Sequence, residues 1–117
     1  MTNATTPVRV GLLPLNLLSG GATAAADGLA RMADAGIDHV CCGDHVSFAG
    51  TGFDGLIQAT ALAMLHPTLP IHTAIYLLPL RHPTLVARQL ADIDRMAPGR
   101  LVFQAGACGQ AQSLTGG

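Results

Sequence analysis

The sequence predicts an α/β fold built on a parallel sheet of repeated β-α units. Four short apolar runs, residues 8–13, 39–43, 71–77 and 101–105, recur about thirty residues apart, the length that a strand, a helix and two loops occupy. The runs are continuously apolar rather than alternating, as in strands covered on both faces. The stretches between them carry helical signals, so the order is β-α-β-α-β-α-β with a right-handed crossover at each step.

Each element has its own warrant. After the first run, residues 22–35 place Leu29, Met32 and Ala33 on one helical face. Gly36 stands where a left-handed C-cap belongs, with Ile37 as its hydrophobic contact, and the second run follows at once. Asp54 is a good N-cap for the second helix, which must stop by Leu65 or His66 because Pro67 disfavours helical geometry in the residue before it. Its lack of charge implies burial on more than one side. In the third helix Pro83 fits the first turn, and Leu85, Val86, Leu90, Ile93 and Ala97 form the apolar stripe. Arg88, Asp92 and Arg95 share its opposite face, and Pro98 with Gly99 ends it. Residues 109–117 continue no pattern.

The chain has 117 residues, half of them apolar, enough for one globular core. Its 6 basic residues are all Arg against 7 acidic ones, and a net charge of -1 gives no electrostatic reason to expect nucleic acid or anionic lipid. Cys41, Cys42 and Cys108 form an odd set, and sequence neighbours make a poor disulfide, so a reduced, cytoplasmic setting is expected. Pro14 and Asn16 interrupt the first apolar stretch, and the uncharged segment 55–65 is too short for a bilayer, so no membrane association is expected.

In a parallel α/β sheet, ligands gather at the carboxyl ends of the strands. The stretch "CCGDHV", residues 41–46, puts Asp44 and His45 at such an end. Cys41 and Cys42 lie inside the strand and point to opposite faces, so they cannot join Asp44 and His45 in one tetrahedral metal shell. With no CxxC or HExxH spacing, no metal is expected, and both thiols read as small core residues rather than nucleophiles. Asp44 and His45 read either as a loop cap and a solvated turn residue or as a site pair, and their place in the chain favours the site. His66 and His72 fall on the opposite face and read as structural. His82 is a further candidate to line a site, and Arg81 either pairs with an anion or stays solvated. Gly106 and Gly109 after the fourth run allow close approach of a flat ligand to the backbone. The chain has no Lys and no GxGxxG opening a helix, which excludes a phosphate loop.

Three segments, "ADAGIDHVCCGDHV", "FDGLIQATALAML" and "HTAIYLLPLRHPTLVARQLADIDRMAPGRLVFQAGACG", together resemble the luciferase-like monooxygenase family, within it the branch using the deazaflavin F420. The likeness covers about residues 8–108. It lies in a helix end followed by a strand closing in Gly-Asp-His, and in Leu-Pro-x-Arg-His-Pro before a helix that ends at Gly-Arg. The resemblance implies a TIM (β/α)8 barrel, with the flavin-type ring over the carboxyl ends of the strands, and an oxidoreductase moving a hydride or oxygen to a small organic substrate. F420 is the implied cofactor, with FMN the alternative. It also implies that Asp44 and His45 lie near the reactive edge of the ring, with His45 donating or accepting a proton. Ala74 and Ile75 match the third-strand bulge, often a cis non-prolyl peptide in this family, that backs the ring. Gly106, Ala107 and Cys108 match the fourth-strand loop beside it.

Two departures qualify the match. Sugar-phosphate dehydrogenases of the family carry an acidic residue after the fourth-strand glycines; here Gly109 and Gln110 follow and Glu is absent throughout, which disfavours that substrate. A TIM barrel takes roughly 250 residues, so the chain reads as the N-terminal half, strands one to four, of one luciferase-like domain over 1–117. Family phosphate contacts from later strands would then be missing. The competing reading is a non-catalytic fragment or half-barrel module that needs a partner, with a homodimer through exposed sheet edges as one way to close it. A small hydrolase using a metal on Asp44 and His45 is a third.

Overall fold

The computed structural model describes residues 5–47 and 52–107. Four strands, β1 (Gly11–Leu12), β2 (His39–Cys42), β3 (Ile71–Thr73) and β4 (Leu101–Val102), pair in parallel in the order β1-β2-β3-β4. Helices α1 (Ala22–Asp34), α2 (Gly55–Leu65) and α3 (Pro83–Met96) alternate with them. The α/β order and the three helices match the sequence reading to within a residue or two at each end.

The helix ends show why. The amide of Ile37 donates to the Met32 carbonyl at 3.1 Å and that of Gly36 to Ala33 at 3.0 Å, with Gly36 at φ 85°, which completes the left-handed C-cap. The Asp54 carboxylate accepts from the amides of Leu56 and Ile57, both at 3.0 Å, and opens α2. His66 closes that helix in an extended conformation (φ -138°, ψ 136°), as its place before Pro67 requires.

Side chains alternate across the sheet. Val40, Cys42 and Ile71 face the helices and pack with Leu29, Ala59 and Leu62. A second cluster joins Tyr76, Leu56, Val86 and Ile93. Below the sheet, the Arg100 guanidinium donates to the carbonyls of Ala63 at 2.9 Å and Leu69 at 2.9 Å, tying the end of α2 to β4.

The strands are shorter than the apolar runs, and not all are covered on both faces. β1 and β4 pair over two residues each, and Val8, Val10, Leu12 and Val102 are exposed. Among the described residues each edge strand pairs with one neighbour, so much of the apolar character of runs 8–13 and 101–105 lies on open surface. Leu85 also leaves the predicted stripe of α3 and is exposed, while Val86 and Ile93 are buried. Among the described residues no helix is long and apolar enough to cross a membrane.

Across from the helices, the rings of His39 on β2 and His72 on β3 stack with centroids 3.8 Å apart, 14° from parallel. Gly11 of β1 lies under this stack, where a Cβ would come within 2.1 Å of the His39 ring. Burial, followed by His39 and Arg9, pushes the His72 imidazole below its ordinary pKa. The unfolded chain takes up this proton near pH ~6.5 and the folded chain only at lower pH. The contribution of neutral His72 is therefore full above that value and declines as pH falls through it. His72→Phe, which keeps an aromatic ring in the stack, is expected to flatten the stability profile below pH ~6.5 in urea titrations.

Candidate active site

The carboxyl edge of the sheet is built around one buried carboxylate. Asp44, two residues beyond β2, has a side chain that is 0% exposed. Its Oδ1 accepts from the Gly55 amide at 2.8 Å and from Arg81 Nη2 at 2.8 Å, while its Oδ2 accepts from the Leu77 amide at 2.8 Å and from Arg81 Nη1. Four donors on two oxygens use the full acceptor capacity of the group. Burial alone would raise the Asp44 pKa, but the Arg81 guanidinium and the Leu77 and Gly55 amides outweigh it and hold the carboxyl below its usual value.

Arg81 reaches further. Its Nη2 donates to Asp54 Oδ2 at 2.7 Å, its Nη1 to the Leu77 carbonyl at 3.1 Å, and its guanidinium carbon lies 4.2 Å from the centroid of the Tyr76 ring. Asp54 thus caps α2 with one oxygen and pairs with Arg81 through the other. Asp44, the largest partner of Arg81, together with Asp54 raises the Arg81 pKa. The sequence reading left Arg81 open between pairing and solvation; it pairs with two protein carboxylates 37 and 27 residues away in the chain.

His45 follows directly. Its amide donates to the Phe53 carbonyl at 3.2 Å, and its ring passes over Gly52, where a Cβ would come within 2.1 Å of it. Gln58 of α2 donates its side-chain amide to the carbonyls of Gly43 at 2.7 Å and Phe53 at 3.1 Å, tying residues on either side of His45 to the helix. His45, Phe53 and Gln58 line a cleft of about 310 Å³ together with Leu13, Pro14 and Asn16 from the loop after β1. Neither Gln58 nor Asp54 was singled out as a site residue, because their roles depend on where α2 starts relative to the neighbouring strand end.

At the next strand, the Ala74–Ile75 peptide is cis. The Ala74 amide donates to the Cys42 carbonyl at 2.8 Å, so residues 43–45 and 74–76 leave adjacent strands at one level. Ala74 and Ile75 are exposed. Tyr76 then bridges to Ala105, donating to Gln104 and accepting from the Gly106 amide. A Cβ on Gly106 would lie 2.9 Å from Ile75 Cγ2, so glycine is what permits these two loops to touch. Gly106 and Ala107 border an open cleft of about 420 Å³ with Leu78, Pro79, Arg81 and Pro83. Cys108 lies outside the described residues.

The remaining candidates have structural surroundings. His82 caps α3, its Nδ1 accepting from the Thr84 amide at 3.2 Å, and His66 Nδ1 accepts from the amides of Thr68 and Leu69 in the turn before β3. His72 lies within β3, stacked as described. Cys42 is buried and its thiol is pushed up to about 12, chiefly by desolvation and then by Cys41, Asp44 and Asp54, which suits a core residue. Among the described residues no three His, Cys, Asp or Glu side chains converge to hold a metal. The arginine on both oxygens of Asp44 leaves it poorly suited to bind a cation.

Residues 11–117 match the luciferase-like monooxygenase family. No curated protein matches the chain. Among solved structures, the oxygenating constituent of 3,6-diketocamphane monooxygenase from Pseudomonas putida, a type II Baeyer-Villiger monooxygenase in complex with FMN, superposes with a TM-score of 0.72 at 18% identity, over 94% of this chain and 33% of that one. The monooxygenase RslO1 from Streptomyces bottropensis superposes with a TM-score of 0.66 at 23% identity, over 92% and 35%. The chain thus spans about a third of the length of these structures. Its four-stranded parallel sheet has the architecture of part of the luciferase-like TIM barrel. By the match over nearly its whole length, the chain belongs to the luciferase-like monooxygenase family.

Proposed function

We propose that this chain carries the carboxyl-edge part of a flavin-dependent oxidoreductase site of the monooxygenase type, acting on a small organic substrate. The observation that carries the reading is the shelf formed by exposed Ala74 and Ile75 against Gly106, at the level where His45 leaves the neighbouring strand. It fits a flat tricyclic ring: small and apolar side chains, backbone brought close by a glycine, and an imidazole on the same edge. Ala74, Ile75, Gly106 and Ala107 would hold the ring, with Cys108 next in sequence. His45 would move a proton at the reacting edge. Asp44, with every lone pair engaged, serves by holding the His45 loop rather than by exchanging a proton. When bound, the cofactor supplies hydride transfer and, in its reduced form, reaction with oxygen.

FMN is favoured over F420 because a solved structure with this fold is in complex with FMN; the F420 reading rests on the sequence motifs. A titration of the purified chain with each cofactor, followed by fluorescence, tests the proposal. Saturable binding of FMN at one site per chain is expected, and His45→Ala should weaken it in protein that stays folded by circular dichroism. Absence of saturable binding by either cofactor would contradict it. The free Cys41 and Cys42 suit a reducing cytoplasmic setting.

A second reading is favoured by the open sheet. Val8 is 86% and Leu15 81% exposed beside edge strand β1. Apolar edges of this kind pair with further strands, so a module that completes its sheet with a second copy or a partner is the alternative. Sedimentation at rising concentration separates the two, a monomer that binds FMN favouring the first.

A further inference from the structure

We propose that Arg81 is a positioning residue of this site, fixing the His45 loop relative to the Ala74–Ile75 shelf; the functional part of the inference rests on the flavin reading above. The guanidinium is the point where the segment before His45 meets the segment after the shelf. On one side it forks onto Asp44, the residue before His45. On the other it lies over the face of Tyr76 and donates to the Leu77 carbonyl, in the segment directly after Ile75. Asp54 adds the start of α2, whose Gln58 donates to the carbonyls of Gly43 and Phe53 on either side of His45.

No other residue type satisfies this set of partners. A planar fork meets both oxygens of Asp44 at once, leaves a further N–H for Asp54, and lies flat on an aromatic ring; an ammonium carries comparable charge but cannot do all three. One cation between two carboxylates at a helix N-terminus also balances charge in a site that is largely closed to water, the Arg81 side chain being 16% exposed. Loss of the fork therefore frees the two loops to drift apart while the core cluster around Leu29 and Ile71 stays packed.

Arg81→Lys is the test, with Arg88→Gln on the exposed face of α3 as control. Two readouts are taken on folded protein: FMN affinity with the absorption fine structure of the bound ring, and the nuclear resonances of the His45 imidazole and the Ile75 amide in the ligand-free chain. Arg81→Lys is expected to lower FMN affinity about tenfold or more and to shift or broaden both resonances, leaving those of His66 in place. Arg88→Gln should change neither. Unaltered His45 and Ile75 resonances would overturn the positioning role whether or not FMN binds. Should the wild-type chain fail to bind FMN while Arg81→Lys moves both resonances, the flavin reading fails and the positioning of the loops stands. If Arg81→Lys does not fold, Asp54→Asn, which keeps a capping oxygen on α2 and removes one carboxylate from the guanidinium, is judged by the same resonances.

Discussion

Asp44→Ala is expected to cost the fold about 3–5 kcal/mol, read as a fall in the urea midpoint. Removing the carboxylate deletes both halves of the bidentate pair and leaves Arg81 with Asp54 as its remaining carboxylate. It also strands the amides of Gly55 and Leu77, each of which donates to Asp44 inside the protein. An unmade buried hydrogen bond costs about 1–3 kcal/mol by itself, so the loss approaches the whole stability of a small domain, about 5–15 kcal/mol. A change below about 1 kcal/mol would mean that the node is dispensable.

The same carboxylate sets an acid limit distinct from that of His72. Its pKa is lowered in the folded chain, so the unfolded chain takes up the proton first, near pH ~3.9. Stability from Asp44 is complete above that value and is lost as pH falls through the folded value. Asp44→Asn should remove this low-pH slope while also lowering stability at neutral pH, because an amide offers one acceptor oxygen where four donors converge.

Gly55→Val is expected to be the other severe change, at about 1–3 kcal/mol from overpacking. A Cβ at position 55 would lie 3.0 Å from Asp44 Cβ and 3.2 Å from Tyr76 Cδ2, and neither neighbour is free to yield. Asp44 is held by its four donors, and Tyr76 is 1% exposed beneath the Arg81 guanidinium. The cost therefore falls on the contact between β2 and the start of α2. Denaturant titration would show it, and stability equal to wild type would contradict the close approach of these two elements.

Local signals were legible and distant ones were not. The C-cap at Gly36 and the N-cap at Asp54 are decided within a few residues, and both helix ends lie where the sequence puts them. The alternation of strands and helices followed from spacing, and the parallel sheet from the handedness of crossovers, whereas the order β1-β2-β3-β4 is what the barrel resemblance implied. What the sequence could not show is which partner a polar side chain finds across a fold. Asp44 reads as a site residue by its place after a strand, yet its oxygens are committed to donors 11 to 37 positions away. Arg81 carried a signal in the Leu-Pro-x-Arg-His-Pro stretch, but nothing in that stretch names Asp44 or Asp54. The stack of His39 on His72 was likewise invisible, because it depends on the register between β2 and β3. Runs 8–13 and 101–105 looked like covered strands; they differ from the central pair in position within the sheet, which apolar content does not encode.

The proposed place for a flavin ring is the Ala74–Ile75 shelf beside His45. The most direct measurement is to titrate isotope-labelled chain with FMN and follow the resonances of the His45 imidazole and of the amides of Ile75 and Gly106. Saturable shifts in all three with a common affinity, with His66 unmoved, are what this account predicts. Saturable FMN binding that leaves His45, Ile75 and Gly106 unchanged would place the ring elsewhere and contradict it.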